Sequence, residues 1–147
     1  MTDEINLGHF RPEAVQVTWE KALARCHTDP EGATTAARTL LETVCKHILD
    51  GMNVPYLGTA DLPTLIKITT EQLSLATSQH SEETLKRTLG SAANIVDGLG
   101  ERPPVKLSAR DALLIVNMAR TVATLLVETR KIQLEELFED LEDSKGG

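Results

Sequence analysis

Aromatic side chains are scarce in this chain, with one Trp, one Tyr and two Phe among 147 residues. A core built without them must be assembled from Leu, Val, Ile and Ala, a choice that favours helices over strands. Cysteine is almost as rare. Cys26 and Cys45 form no Cys-x-x-Cys pair, which argues against a structural zinc site. Each has a histidine close by, His27 and His47, but neighbours on a helix diverge by about 100° and i,i+2 residues by about 200°. Two buried thiols and no metal site are the expectation. A basic excess is also missing. The net charge is −7, and −5 of it lies between Glu135 and Lys145, where six acids face one base. Binding to nucleic acid through overall charge is thereby excluded, so any RNA contact must be local. No apolar run reaches the roughly 20 residues that span a bilayer. The longest, Ala112 to Val127, is interrupted by Asn117 and Arg120. The stretch Met1 to Asn6 is acidic and polar, unlike a signal peptide. The expectation is one domain in the cytoplasm, with no membrane partner and no cofactor.

The hydrophobic spacing is helical throughout. Val15, Trp19, Ala22, Leu23 and Cys26 line one face of a first helix headed by Pro12. Asp29-Pro30-Glu31 has the chemistry of a helix start: a capping carboxylate, a ring preset for the first turn, and an acid at the positive end of the dipole. The second helix buries Ala33, Ala36, Ala37, Leu40, Leu41, Val44 and Ile48, and is expected to stop at Gly51. Its polar stripe carries Arg38, Glu42 and Lys46 in i,i+4 steps. Asp61 caps a third helix with Leu62, Leu65, Ile66, Thr69 and Leu73 on one side. A fourth opens at Glu82-Glu83, and its Leu85, Leu89, Ala92, Val96 and Leu99 form a heptad-like seam.

A turn-rich connector, Gly98 to Pro104, precedes Ser108, whose Asp111 three residues on completes a capping box for the last helix. From Ala112 to Val127 that helix is apolar around most of its circumference, with Asn117, Arg120, Thr121 and Thr124 on a narrow polar stripe. Cover for it is expected from a second subunit. Beyond Arg130 it becomes amphipathic through Leu134, Leu137, Phe138 and Leu141, then frays. The domain reading is an N-terminal tail at 1–10, one helical domain at 11–142 and a flexible tail at 143–147.

The run Asp29-Pro30-Glu31-Gly32-Ala33, then Ala36-Ala37-Arg38-Thr39-Leu40-Leu41-Glu42, then Val44-Cys45-Lys46-His47-Ile48-Leu49, resembles the abortive-infection C-terminal domain family of bacteria. Asp61-Leu62-Pro63, Gln79-His80, Gly98-Leu99-Gly100 and Leu126-Val127-Glu128-Thr129 extend the likeness from about Trp19 to Thr129. That family is related to the HEPN superfamily. The resemblance implies an all-α, five-helix HEPN-like bundle with a long C-terminal helix, a homodimer, and metal-independent cleavage of RNA in phage defence or toxin–antitoxin systems. An antitoxin or a sensor domain is a further implied partner.

The family's chemistry uses an arginine, a neighbouring polar residue and a histidine a few residues later, here expected as Arg-Asn…Asp-Ala-His-Gly before the last helix. The chain departs at this place. After Gly100 it runs directly into Glu101-Arg102-Pro103-Pro104, and no histidine follows His80. Attack by a 2′-hydroxyl needs a proton acceptor that works near neutral pH, for which histidine is suited, and a cation for the phosphate. The catalytic set is therefore unassigned, with Arg102, His47 and His80 as its candidates. Arg38, Glu42, Lys46, Asn117 and Arg120 are candidates for a polar RNA site or a dimer contact, with a solvated face as the plain alternative. The leading reading is a catalytically disarmed HEPN-like ribonuclease. Its rivals are a non-enzymatic helical homodimerisation or interaction module, and a binder of RNA or nucleotide without cleavage.

Overall fold

A computed structural model describes residues 12–73, 87–97 and 106–146. The described elements are all helical: α1 (Pro12–Arg25), α2 (Pro30–Gly51), α3 (Leu62–Leu73), α4 (helical over 87–97) and α5 (Ala109–Gly146). This is the all-α, five-helix arrangement with a long last helix that the periodicity and the resemblance predict. The central element is α2, which packs on α1, α3 and most extensively on α5. Fully buried alanines, Ala33 and Ala37 on α2 and Ala112 and Ala119 on α5, leave little side-chain bulk between helices. Helix axes approach to about 8–10 Å, and small residues favour the near end of that range. Trp19, Leu41, Leu49, Leu65, Ile115 and Leu126 fill the remaining core. The seam of α4 enters it too through Leu89, Ala92 and Val96, joined by Ala93, which is not one of the seam positions; Leu85 and Leu99 lie outside the described residues.

The local signals hold at the helix starts. Asp29 caps α2, its Oδ1 accepting from the Gly32 N–H at 3.1 Å, while Oδ2 pairs with Arg25 Nη2 at 2.7 Å. The Arg25 contact, and after it the Gly32 amide, holds this carboxyl below its ordinary range. A Cβ at position 32 would push aside the exposed ends of the Asp29 and Arg25 side chains and so loosen this clasp. Asp61 caps α3 by accepting from the Thr64 N–H at 3.0 Å. Ser108 and Asp111 exchange reciprocal bonds of 3.2 Å, a complete capping box for α5.

Helix α2 ends at Gly51, where the sequence places the stop, and its closing turn is made by the residues that follow. Gly51 is still helical, Met52 keeps right-handed φ and ψ, and Asn53 takes the left-handed conformation with φ 59°. The Val54 amide donates to the Leu49 carbonyl at 2.9 Å and the Asn53 amide to Asp50 at 3.1 Å, a Schellman closure. Val54 and Leu49 both join the core, which adds the apolar contact usual for this motif. The left-handed closing residue is thus Asn53, two positions beyond the last helical residue, Gly51. Asparagine tolerates positive φ, whereas a β-branched side chain does not. Asn53→Val is expected to lose about 1–2 kcal/mol, read as a lower urea midpoint, and Asn53→Gly to lose nothing. Equal midpoints for the two variants would show that the left-handed turn is absent.

Helix α5 is long and apolar enough to cross a membrane by length and composition. Its apolar residues are spent on the core instead: Ala112, Ile115, Val116, Ala119, Val122, Ala123 and Leu126 are buried within the chain. Leu114 is the one large apolar residue between 112 and 127 left exposed among those described. The chain's own helices cover these seven positions, while Leu113, Met118, Leu125 and Val127 are half-buried. Past Arg130 the helix leaves the bundle. Gln133 Nε2 donates to the Gln72 carbonyl near the end of α3 at 3.4 Å. The helix then continues through Gly146, so residues 143–146 are helical where fraying is expected from the sequence.

Candidate functional site

The polar stripe of α2 is not a solvated face. Arg38, Glu42, Lys46 and His47 are all half-buried. Arg38 Nη1 lies 3.4 Å from Glu42 Oε2 on its own helix and 3.5 Å from Asp97 Oδ1 on α4. The three side chains retain only 20–24% exposure. A half-buried guanidinium needs carboxylate partners, because an uncompensated charge out of water is destabilising. Here one partner is local and the other comes from 59 positions away. The site's place in the fold follows from Asp97, the last described residue before the 98–105 connector. Arg38 thus ties the middle of α2 to the mouth of that connector.

The cluster's charge decides what it can do. Among the described residues one cation faces two carboxylates, and a guanidinium so engaged has less to offer a phosphate. Arg38 acts here as a clamp between helices. The Glu42–Lys46 pair that the spacing predicts is not among the ion pairs of the described residues, since Glu42 turns to Arg38. Lys46 stands apart from the clamp.

His47 does not join Arg38 either. Nine positions along a helix give about 13.5 Å of rise and half a turn of rotation, so the two occupy opposite faces of α2. Burial lowers the imidazole's affinity for a proton, with the Asp50 carboxylate pulling the other way. His27 is exposed just past α1. Arg102 and His80 lie outside the described residues, as does His9.

Asn117 and Arg120 lie on the outer side of α5. The Asn117 amide donates to the Leu113 carbonyl at 2.8 Å, and Thr121 donates to Asn117 at 2.9 Å. With Thr124 and Glu128 they line a shallow, open depression. Arg120 has no ion pair among the described residues, unlike Arg38, though Glu128 lines the same depression. An adjoining cleft of about 130 Å³, which shares Thr124 and Glu128 with that depression, runs between α1 and α5 and is lined by Val15, Trp19, Ala123 and Val127.

The cysteines are structural. Both are free and buried. Burial pushes the Cys45 thiol up to about 12, so it carries no thiolate at neutral pH. The Cys26 thiol is raised by the same cause and donates to the Ala22 carbonyl at 3.5 Å. Among the described residues, no three His, Cys, Asp or Glu side chains are grouped to hold a metal ion.

Asp97 was not among the residues that the sequence marks out. It follows the seam residue Val96, and only the folded pairing of α4 with α2 gives it a role. The one signal available was the need of a half-buried Arg38 for a carboxylate.

Comparison with known proteins adds the lineage. Searches among curated proteins and among solved structures find no match. A comparison against protein families matches residues 13–130 to Abi_C, a HEPN-like domain. The matched span contains α1 to α4, the clamp and the core half of α5. The chain therefore belongs to the Abi_C family of HEPN-like domains.

Proposed function

We propose that the chain serves in abortive-infection defence, in the cytoplasm, as a HEPN-like domain that acts by binding and no longer cleaves RNA. The family match supports the setting. The observation that carries the loss of cleavage is the connector itself. Between Asp97 and the start of α5 at Ala109 the chain holds no histidine and a single arginine, Arg102. A 2′-hydroxyl attack at neutral pH needs a proton acceptor beside the phosphate-holding cation. His47, the described candidate, faces away from Arg38, and Arg38 is engaged with two acids.

The test is a pair of cleavage assays in EDTA on single-stranded RNA. One uses the chain as it stands. The other uses the chain with an Arg-Asn…Asp-Ala-His-Gly segment placed after Gly100. The expected result is no cleavage by the first and cleavage by the second. Cleavage by the unaltered chain would refute the disarmed reading and return attention to His47 and His80. Silence from both would remove the ribonuclease ancestry from the account.

A further inference from the structure

The family match stops at residue 130, but α5 does not. Residues 131–146 continue it for about 24 Å at about 1.5 Å per residue. Leu134, Leu137, Phe138 and Leu141 fall at i, i+3, i+4 and i+7, the spacing of one apolar helix face. The face is the same one that Ala112, Val116, Ala119 and Ala123 turn into the core, because those positions lie on the same side at 3.6 residues per turn. Inside the bundle this face is covered. Beyond it, Leu137, Phe138 and Leu141 are 51%, 65% and 57% exposed. A row of large apolar side chains on a projecting helix is the kind of surface that marks a binding site.

Charge narrows the occupant. The apolar row is flanked by Glu135 and Glu142 on one side and Asp140 on the other, with Glu136, Glu139 and Asp143 behind; Lys131 and Lys145 stand at its two ends, so six acids face two bases over 131–146 and the segment carries −4. A second copy laid on this row, parallel or antiparallel, would set acid flank against acid flank, and like charges at the edge of a helical seam disfavour pairing. The chain has no basic segment of its own to offer. Residues 1–11, 74–86 and 98–105 each hold as many acids as bases or more.

We propose that the C-terminal extension of α5 docks a basic amphipathic helix of another protein along Leu134, Leu137, Phe138 and Leu141. The partner's apolar stripe covers this row and its Lys or Arg flanks meet Glu135, Asp140 and Glu142. The apolar row supplies the affinity, and the acids supply the choice of partner and a salt-sensitive association rate. The inference goes beyond the function proposed above and does not depend on it, since it rests on residues outside the family match.

The test uses the full chain and three labelled synthetic helical peptides, followed by fluorescence anisotropy. One peptide has a Leu stripe with Lys flanks. One has the same stripe with Glu flanks. One has the Lys-flanked composition in scrambled order, without a stripe. The first is expected to bind at least about tenfold more tightly than either of the others, and more weakly as salt rises. Leu137→Ser with Phe138→Ser should weaken it by about tenfold or more. Glu135→Lys with Asp140→Lys and Glu142→Lys should reverse the preference toward the Glu-flanked peptide. Both variants change exposed positions only, and circular dichroism checks that the bundle is intact. Equal binding of the striped and scrambled basic peptides would overturn the proposal, as would no binding at all. Sedimentation showing a dimer that Leu137→Ser with Phe138→Ser dissolves would also overturn it, because the row's occupant is then a second copy.

Discussion

Trp19→Ala is expected to remove about 3–5 kcal/mol of stability, the largest effect of any single substitution considered for this protein. Trp19 is the only tryptophan and is 1% exposed. It anchors α1, which packs on both α2 and α5. The core it belongs to contains many small side chains, Ala22, Ala33, Ala37 and Ala123 among them, and Ala123 lines a cleft together with Trp19. Such residues have few rotamers with which to fill the space that an indole leaves, so the cavity persists and its full penalty is felt. A domain of this kind has about 5–15 kcal/mol in total, so the variant should be partly unfolded at 37 °C. Urea denaturation followed by circular dichroism measures it, since the intrinsic fluorophore is gone. Trp19→Phe, which keeps an aromatic ring in place, should cost well under half as much. A loss below about 1 kcal/mol for the alanine variant would mean that α1 is not integral to the core.

Arg38→Met should have the second largest effect, a loss of about 1–3 kcal/mol. The substitution keeps much of the aliphatic stem and removes the charge. Glu42 and Asp97 then face one another without the cation between them, each at about one-fifth exposure. The range lies below that for a fully buried pair because water still reaches the cluster. The triple variant Arg38→Met, Glu42→Gln, Asp97→Asn removes the repulsion and should recover a good part of the loss. That recovery distinguishes an electrostatic clamp from simple packing of the arginine stem, which the triple variant would not restore. Unchanged stability in Arg38→Met would show that α2 and α4 are joined by apolar contacts alone.

Both substitutions bear on function through position. The clamp ties Asp97, the last described residue before 98–105, to the middle of α2. A loss of stability in Arg38→Met would therefore be read before any effect on RNA binding is assigned to the arginine itself.

Much of this protein could be read without its fold. Each helix start is a local transaction between a side chain and an amide three residues away, as at Asp29, Asp61 and Ser108, and such chemistry is legible in a short window. The buried faces of α2 and α3 follow from spacing alone, because apolar side chains at i, i+3, i+4 and i+7 must share one side of a helix. The second helix's distinctive run was enough to point to the family that the match over 13–130 establishes.

What the tertiary structure decided is long-range. Asp97 becomes Arg38's partner only when α4 packs on α2, and no window of sequence holds both. Helix α2 ends at Gly51 as the sequence indicates, but the left-handed closing residue is Asn53 rather than the glycine, and Val54 after it packs against the core. Cover for α5 divides at about residue 130: the same apolar face is buried by α2 and its neighbours before that point and left bare after it. Periodicity identifies the face, but only the length of the surrounding helices determines how far along it the core extends.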